Sequence, residues 1–154
     1  MIDIKLFATD VDGVMTDAGM YYTESGDEFK KFNTRDGMGI KLLRESNIKT
    51  AIVTSENTKI VERRAKKLKI DYLFQGTEDK LQTVSALCKK LGITLDNVAY
   101  IGDDINDIEL LQASKIKACP KDAVGKVKNI KDLIILESAG GEGAVREFIE
   151  KILS

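Results

Sequence analysis

At 154 residues the chain has the length of one domain, enough to bury roughly two-thirds of the surface that its unfolded form exposes. Basic and acidic residues balance at 24 against 25, so no broad field draws in nucleic acid or a membrane surface, and the expected partner is a small molecule. Histidine is absent, which excludes Ser-His-Asp hydrolases, histidine phosphatases and His-ligated zinc enzymes. No apolar run is long enough to span a bilayer, and Met1-Ile2-Asp3-Ile4-Lys5 lacks the apolar segment of a signal peptide, so the expectation is a cytoplasmic protein. Cys88 and Cys119 both read as core thiols, because neither has the arginine six residues later that a cysteine-based phosphatase needs.

Ile4–Thr9 predicts a buried strand that ends on Asp10 and Asp12, two carboxylates that face one side if the chain stays extended there. Gly19–Thr23 and Glu28–Asn33 flank a Gly-containing turn and predict a β-hairpin within residues 18–34. Such a hairpin is an extra sheet edge, a flap over the acidic loop, or an oligomer contact. Asp36 is expected to cap a helix through about Ser46, with Ile40, Leu42 and Leu43 turned inward. Lys49–Val53 predicts the second strand, ending on Thr54, Ser55 and Glu56.

A helix follows from about Thr58 to Leu68, burying Ile60, Val61, Ala65 and Leu68, with Arg64 and Lys67 three apart on one face. Asp71–Phe74 is a short strand, and the next helix, about Asp79 to Leu91, carries Lys80 in its first turn, where a cation is disfavoured unless something anionic is near. Val98–Ile101 leads into Gly102-Asp103-Asp104-Ile105-Asn106-Asp107 and a helix to about Ala113. Ile116–Cys119 and Leu133–Leu136 complete the strands around a helical turn near Asp122–Val127, and the last helix runs from about Glu142 to Leu153.

Strand and helix alternate throughout, which predicts a Rossmann-like, doubly wound parallel sheet in a single α/β domain. Asp10 and Asp12, Thr54, Lys80, and the Asp103, Asp104 and Asp107 group then share the rim at the strand ends. Taken singly, each is a helix cap, a turn residue or a surface lysine. Gathered together, five carboxylates repel one another unless a divalent cation neutralises them, and oxygen-only ligands point to Mg²⁺. A threonine hydroxyl and a lysine supply the donors that a phosphate needs beside the metal.

Asp10-Val11-Asp12-Gly13-Val14, Thr54, Lys80 and Gly102-Asp103-Asp104-Ile105-Asn106-Asp107 resemble, in order and spacing, the four motifs of the haloacid dehalogenase superfamily. Short length, the hairpin after the first motif and the tail Gly140-Gly141-Glu142-Gly143-Ala144-Val145-Arg146 are similar to its capless sugar-acid phosphatases. These act on 3-deoxy-D-manno-octulosonate (KDO) 8-phosphate, or on nine-carbon KDN or sialic acid 9-phosphates.

The resemblance implies a Mg²⁺-dependent phosphatase with Asp10 as nucleophile and Asp12 as general acid and base. It implies a metal held by Asp10, the Asp12 main-chain carbonyl and Asp103, with Asp104 and Asp107 outside the ligand set, and Thr54 and Lys80 on the phosphoryl oxygens. It also implies a homotetramer in which the tail, residues 138–154, closes a neighbour's site and Arg146 meets the substrate carboxylate. By composition alone that tail is a helix with a loose glycine start, and Arg64 with Lys67 is a solvated basic face.

Octulosonate phosphatases of this kind carry Thr-Gly-Arg after the second strand, whereas this chain has Thr54-Ser55-Glu56. With an acid here and Lys67 further on, it is more similar to the nine-carbon branch, although Ser55 departs from both. Ser55, Glu56, Arg64, Lys67 and Asn106 are the expected substrate contacts beyond the motifs. Two alternatives stand beside this reading: a non-catalytic assembly domain like the C-terminal domain of sialic acid cytidylyltransferases, and a phosphotransfer receiver, whose acidic pair and phosphorylated Asp sit on different strands from those here.

Overall fold

The computed structural model describes residues 2–154. In chain order the elements are β1 (Leu6–Thr9), the hairpin strands β2 (Tyr21–Tyr22) and β3 (Glu28–Phe29), α1 (Thr34–Glu45), β4 (Lys49–Val53), α2 (Lys59–Lys67) and β5 (Tyr72–Phe74). Then come α3 (Lys80–Leu91), β6 (Val98–Ile101), α4 (Ile108–Ala113), β7 (Ile116–Cys119), α5 (Gly125–Lys128), β8 (Ile134–Ile135) and α6 (Ala144–Leu153). The main sheet has the order β5-β4-β1-β6-β7-β8, and every pairing in it is parallel.

The central strands are buried on both sides, which is why they read as continuous apolar runs. Side-chain alternation sends Phe7, Ile52, Ala99, Ile101 and Ala118 into the cluster with Ile40, Leu43, Val61, Val145 and Phe148, the inner residues of α1, α2 and α6. Leu6, Ala8, Val53, Val98, Tyr100 and Cys119 join Val84, Leu87, Leu110, Leu111 and Val127 from α3, α4 and α5 on the other face. Phe148 meets Phe7 with ring centroids 5.9 Å apart, and burying a ring of that size is worth roughly 1.5–3 kcal/mol. Cys88 and Cys119 are buried, and burial raises both thiols, Cys119 to about 11, which leaves them inert packing groups. Among the described residues no helix is long and apolar enough to cross a membrane.

The beginning of α1 departs from expectation. Asn33, not Asp36, is the cap: its side chain accepts the Arg35 N–H at 2.8 Å. Asp36 is buried, and its Oδ1 accepts the Arg146 N–H at 3.0 Å, in the first turn of α6. The α6 cap position is Gly143, at φ 98°, which has no side chain to offer, so Asp36 satisfies that helix from 110 residues away. Burial pushes the Asp36 carboxyl up to about 6, against the pull of the Arg146 amide and of the Arg64 and Arg146 charges.

Smaller differences share this tertiary origin. The hairpin strands pair over only two residues each, Tyr21 with Phe29 and Tyr22 with Glu28, and Met20, Tyr22 and Phe29 are exposed. Leu42, Ile60 and Leu68, expected inside, are half-buried. The last helix starts two residues after Glu142, once the chain has turned through Gly143.

Candidate active site

From β1 the chain moves outward through β4 and β5, then returns to β6 on the opposite flank of β1. The strand order therefore reverses between β1 and β6, and the crevice at their carboxyl ends is where doubly wound sheets bind ligands. Asp10 follows β1 directly, Thr54 follows β4, and Asp103 lies two residues after β6. Register brings them level: Thr9 stands beside Ile52 and Ile101 in the neighbouring strands.

Beyond Asp10 the chain does not stay extended. The Val11 carbonyl accepts the N–H groups of Val14, Met15 and Thr16 at 3.1, 2.9 and 3.2 Å, so Asp12 reaches the pocket from a tight turn. Gly13 makes that turn possible twice over: its φ is 83°, and a Cβ there would overlap the Asp103 carboxylate. Gly140 lies so close to the Gly13 carbonyl that it too has no room for a side chain, and the Gly141 N–H donates to Val14 O at 3.2 Å. Within one chain the glycine-rich tail thus braces the acidic loop of its own site.

Asp107 organises the floor of the pocket. Its Oδ1 accepts Lys80 Nζ at 2.8 Å and the Tyr100 hydroxyl at 2.5 Å, while Oδ2 accepts the Asp103 and Asp104 N–H groups at 2.9 and 3.2 Å. Its lone pairs are occupied, which makes it a holder of other groups. The buried Lys80 ammonium also lies 3.1 Å from Asp10 Oδ1, which accepts the Val11 N–H at 2.8 Å. Burial works against the Lys80 charge, but Asp10 and Asp107 outweigh it and hold the ammonium pKa above its ordinary value.

Two carboxylates remain short of positive charge. Burial, then the Asp107 charge, raises Asp10 well above the ordinary carboxylate range despite Lys80. The same causes push Asp103 up to about 7, and its buried Oδ1 has no hydrogen-bond partner. Ligand oxygens of Asp10, Asp103 and Asp107 lie within 4.8 Å of one another. With Asp107 saturated, Asp10 and Asp103 present free oxygens to one point, an oxygen donor set that suits a hard divalent cation and would be relieved of its repulsion by one.

A cavity of about 210 Å³ opens over Asp10, lined by Asp12, Thr54, Ser55, Glu56, Asp103, Asp104 and Asn106. Asn106 Nδ2 donates to Ser55 Oγ at 3.1 Å and ties the loops after β4 and β6 together. Most of the residues expected at the site are therefore gathered here, with Lys80 and Asp107 beneath. Arg64, Lys67 and Arg146 are not brought to this cavity within one chain. Arg64 and Lys67 line a neighbouring cleft with Phe29 and Phe32, Arg64 stacking 5.3 Å over the Phe32 ring. Arg146 packs beside α1 and pairs with Glu150 at 2.8 Å.

Two residues escaped the sequence reading. Tyr100 had a signal, since a tyrosine in a buried strand needs a partner for its hydroxyl. Lys30 had none that separates it from Lys31. Yet the Lys30 side chain is 7% exposed and its Nζ donates to Asp12 Oδ1 at 2.8 Å, whereas Lys31 pairs with Glu142 at the surface, 52% exposed.

Comparison with known proteins agrees with this fold. The family model described as haloacid dehalogenase-like hydrolase matches residues 72–149. A 3-deoxy-D-manno-octulosonate 8-phosphate phosphatase of Salmonella typhi is 40% identical over 151 residues, spanning 98% of this chain and 80% of the relative. A probable YrbI family phosphatase from Pseudomonas syringae superposes with a TM-score of 0.95 at 45% identity, over 99% of this chain and 86% of that one. The Moraxella catarrhalis 3-deoxy-D-manno-octulosonate 8-phosphate phosphatase, solved with magnesium, phosphate and KDO, superposes with a TM-score of 0.93 at 41% identity, over 97% and 86%. By the family match and by likeness along nearly its whole length, the chain belongs to the haloacid dehalogenase-like hydrolases, and among them to the phosphatases, enzymes that hydrolyse phosphoric monoesters.

Proposed function

We propose that the protein is a Mg²⁺-dependent phosphatase that removes the terminal phosphate of a 3-deoxy-2-ulosonic acid, preferring nine-carbon substrates, KDN 9-phosphate or sialic acid 9-phosphate, to KDO 8-phosphate. The observation that carries it is Asp10 at the switch point, beside Asp103 with its unpartnered oxygen and in contact with Lys80. Asp10, Asp103 and the Asp12 main-chain carbonyl would hold Mg²⁺, with Asp104 and Asp107 as positioning carboxylates. When bound there, Mg²⁺ would neutralise these carboxylates and polarise the phosphoryl oxygens.

Asp10 attacks phosphorus while the phosphorus–ester oxygen bond breaks, and Asp12 gives its proton to the departing sugar oxygen. Water then attacks the aspartyl-phosphate, Asp12 takes its proton, and the phosphorus–Asp10 bond breaks to release phosphate. Thr54 and Lys80 bind the phosphoryl oxygens as charge spreads over them. A non-catalytic assembly domain has no use for a buried Lys80 clamped between Asp10 and Asp107, so that alternative is not favoured.

Glu56 on the cavity wall supports the nine-carbon preference through its likeness to the acid that the nine-carbon branch carries there, and a carboxylate can accept hydrogen bonds from a polyol leaving group where an arginine cannot. Substrate contacts from Arg64, Lys67 and Arg146 need a neighbouring subunit, which a homotetramer would supply; the hairpin, residues 18–34, then acts as flap and the tail, residues 138–154, as closure. Measuring kcat/KM with Mg²⁺ for KDN 9-phosphate, sialic acid 9-phosphate and KDO 8-phosphate tests the reading. A nine-carbon advantage of about tenfold or more is expected. A clear eight-carbon advantage overturns the preference, and no turnover of any of the three overturns the substrate class.

A further inference from the structure

The hairpin places one side chain in the site that the reaction above leaves without a task. Lys30 directly follows β3, on a hairpin whose other residues are mostly exposed, yet its ammonium is drawn inward to three carboxylates. Asp12 Oδ1 is at 2.8 Å, Glu56 Oε2 at 3.5 Å and Glu28 Oε1 at 3.6 Å. Holding a long lysine side chain in one place costs roughly 1.5–2 kcal/mol of rotamer entropy, so surface lysines seldom adopt one fixed pose. Burial disfavours the ammonium, but the Asp12 hydrogen bond and the three negative charges outweigh it.

What Lys30 does to Asp12 follows from the remaining contacts. Asp12 sits in the tight turn after Asp10, on the wall of the cavity, with its side chain 37% exposed. Among the described residues its carboxylate makes one hydrogen bond, that from Lys30 to Oδ1. Released from it, the side chain is free to turn about two torsions on an exposed wall. With Oδ1 held from the hairpin side, Oδ2 of this cavity-lining residue is left without a hydrogen bond among the described residues. The same ammonium reaches Glu56, so the carboxylate facing the leaving group and the one serving its oxygen are tied to a single cation.

We propose that Lys30 is a positioning residue: its ammonium fixes the Asp12 carboxylate in the orientation from which it protonates the departing sugar oxygen. This rests on the phosphatase reading above. No bond to Lys30 forms or breaks; the proton passes from Asp12 to the ester oxygen as the phosphorus–oxygen bond cleaves, and Lys30 keeps its own. The hairpin thereby belongs to the catalytic apparatus of its own chain, whatever else its exposed aromatics contact.

Leaving-group chemistry separates this role from a structural one. A sugar alkoxide needs protonation to depart, whereas nitrophenolate hardly does, and kcat/KM reports the step in which the leaving group goes. For Lys30→Met, which keeps the stem, kcat/KM toward KDN 9-phosphate is expected to fall about 30–100-fold, a loss at least ten times larger than that toward nitrophenyl phosphate. Lys30→Arg, which keeps the charge, is expected to recover most of the loss, with both variants melting close to wild type. Equal losses on the two substrates, or no loss on either, overturn the proposal. Wild-type turnover in the same assay tests the phosphatase reading separately: a wild type inert toward both substrates defeats that reading, whereas an active wild type with equally affected variants defeats only the role of Lys30.

Discussion

Asp10→Asn is expected to abolish phosphate release, on the order of 10⁴-fold or more in kcat, while the protein stays folded. The amide matches the carboxylate in size and can still accept the Val11 N–H that Asp10 Oδ1 accepts at 2.8 Å, so the turn after β1 keeps its geometry. What is lost is the charge that attacks phosphorus in the proposed mechanism. Asp10 is held well above the ordinary carboxylate range by burial and by Asp107, so the metal-free fold loses little when that charge is removed. Circular dichroism and a phosphate-release assay on one preparation check the expectation. Measurable turnover by a folded variant would remove Asp10 from the role of nucleophile.

Lys80→Met should damage both activity and stability, because Lys80 serves both. Its ammonium lies 3.1 Å from Asp10 and 2.8 Å from Asp107; in the proposed mechanism it is the donor to the phosphoryl oxygens, and losing such a donor costs about 10²–10³-fold in kcat. Met preserves the stem but leaves two buried carboxylates without their cation, a loss of roughly 3–5 kcal/mol. Acid should soften that loss: Asp10 takes up a proton more readily than an ordinary carboxylate, and a neutral acid no longer needs the ammonium. Melting curves for wild type and variant should therefore diverge at pH 8 and approach each other near pH 5. A variant as stable as wild type at pH 8 would mean that Lys80 does not offset the acidic cluster.

The parts of the fold that were legible in sequence are those fixed by local pattern. Lys49–Val53, Val98–Ile101 and Ile116–Cys119 fall where their apolar runs end, because strands covered on both faces have no polar side to blur them. The motif residues were legible for a related reason: a parallel sheet delivers every strand end to one rim, so placing Asp10, Thr54 and Asp103 required only the strand boundaries.

What escaped depends on partners distant in sequence. Asp36 reads as a cap for its own helix and caps α6 instead, which only the packing of α1 on α6 decides. Lys30 and Lys31 are indistinguishable by type, and the hairpin's placement over Asp12 turns one inward and the other out. Arg64 shares a face with Lys67 as its spacing requires, but that face looks onto the hairpin and not into the cavity.

Asp10 and Asp103 converging on one divalent cation is the claim on which the chemistry depends, and calorimetric titration of Mg²⁺ into the wild type and Asp103→Asn tests it most directly. Asp103 has its carboxyl raised from 3.8 to about 7, so the folded protein holds that proton more tightly than the unfolded chain. Metal-free stability from this group is thus present in acid and is lost as pH rises through about 7. A cation competing for the same oxygens must bind more tightly across that interval as the proton leaves. The account predicts one saturable Mg²⁺ site per chain, stronger at pH 8 than at pH 5.5 and lost in Asp103→Asn. Saturable binding that survives unchanged in the variant, or no binding by the wild type at pH 8, would contradict it.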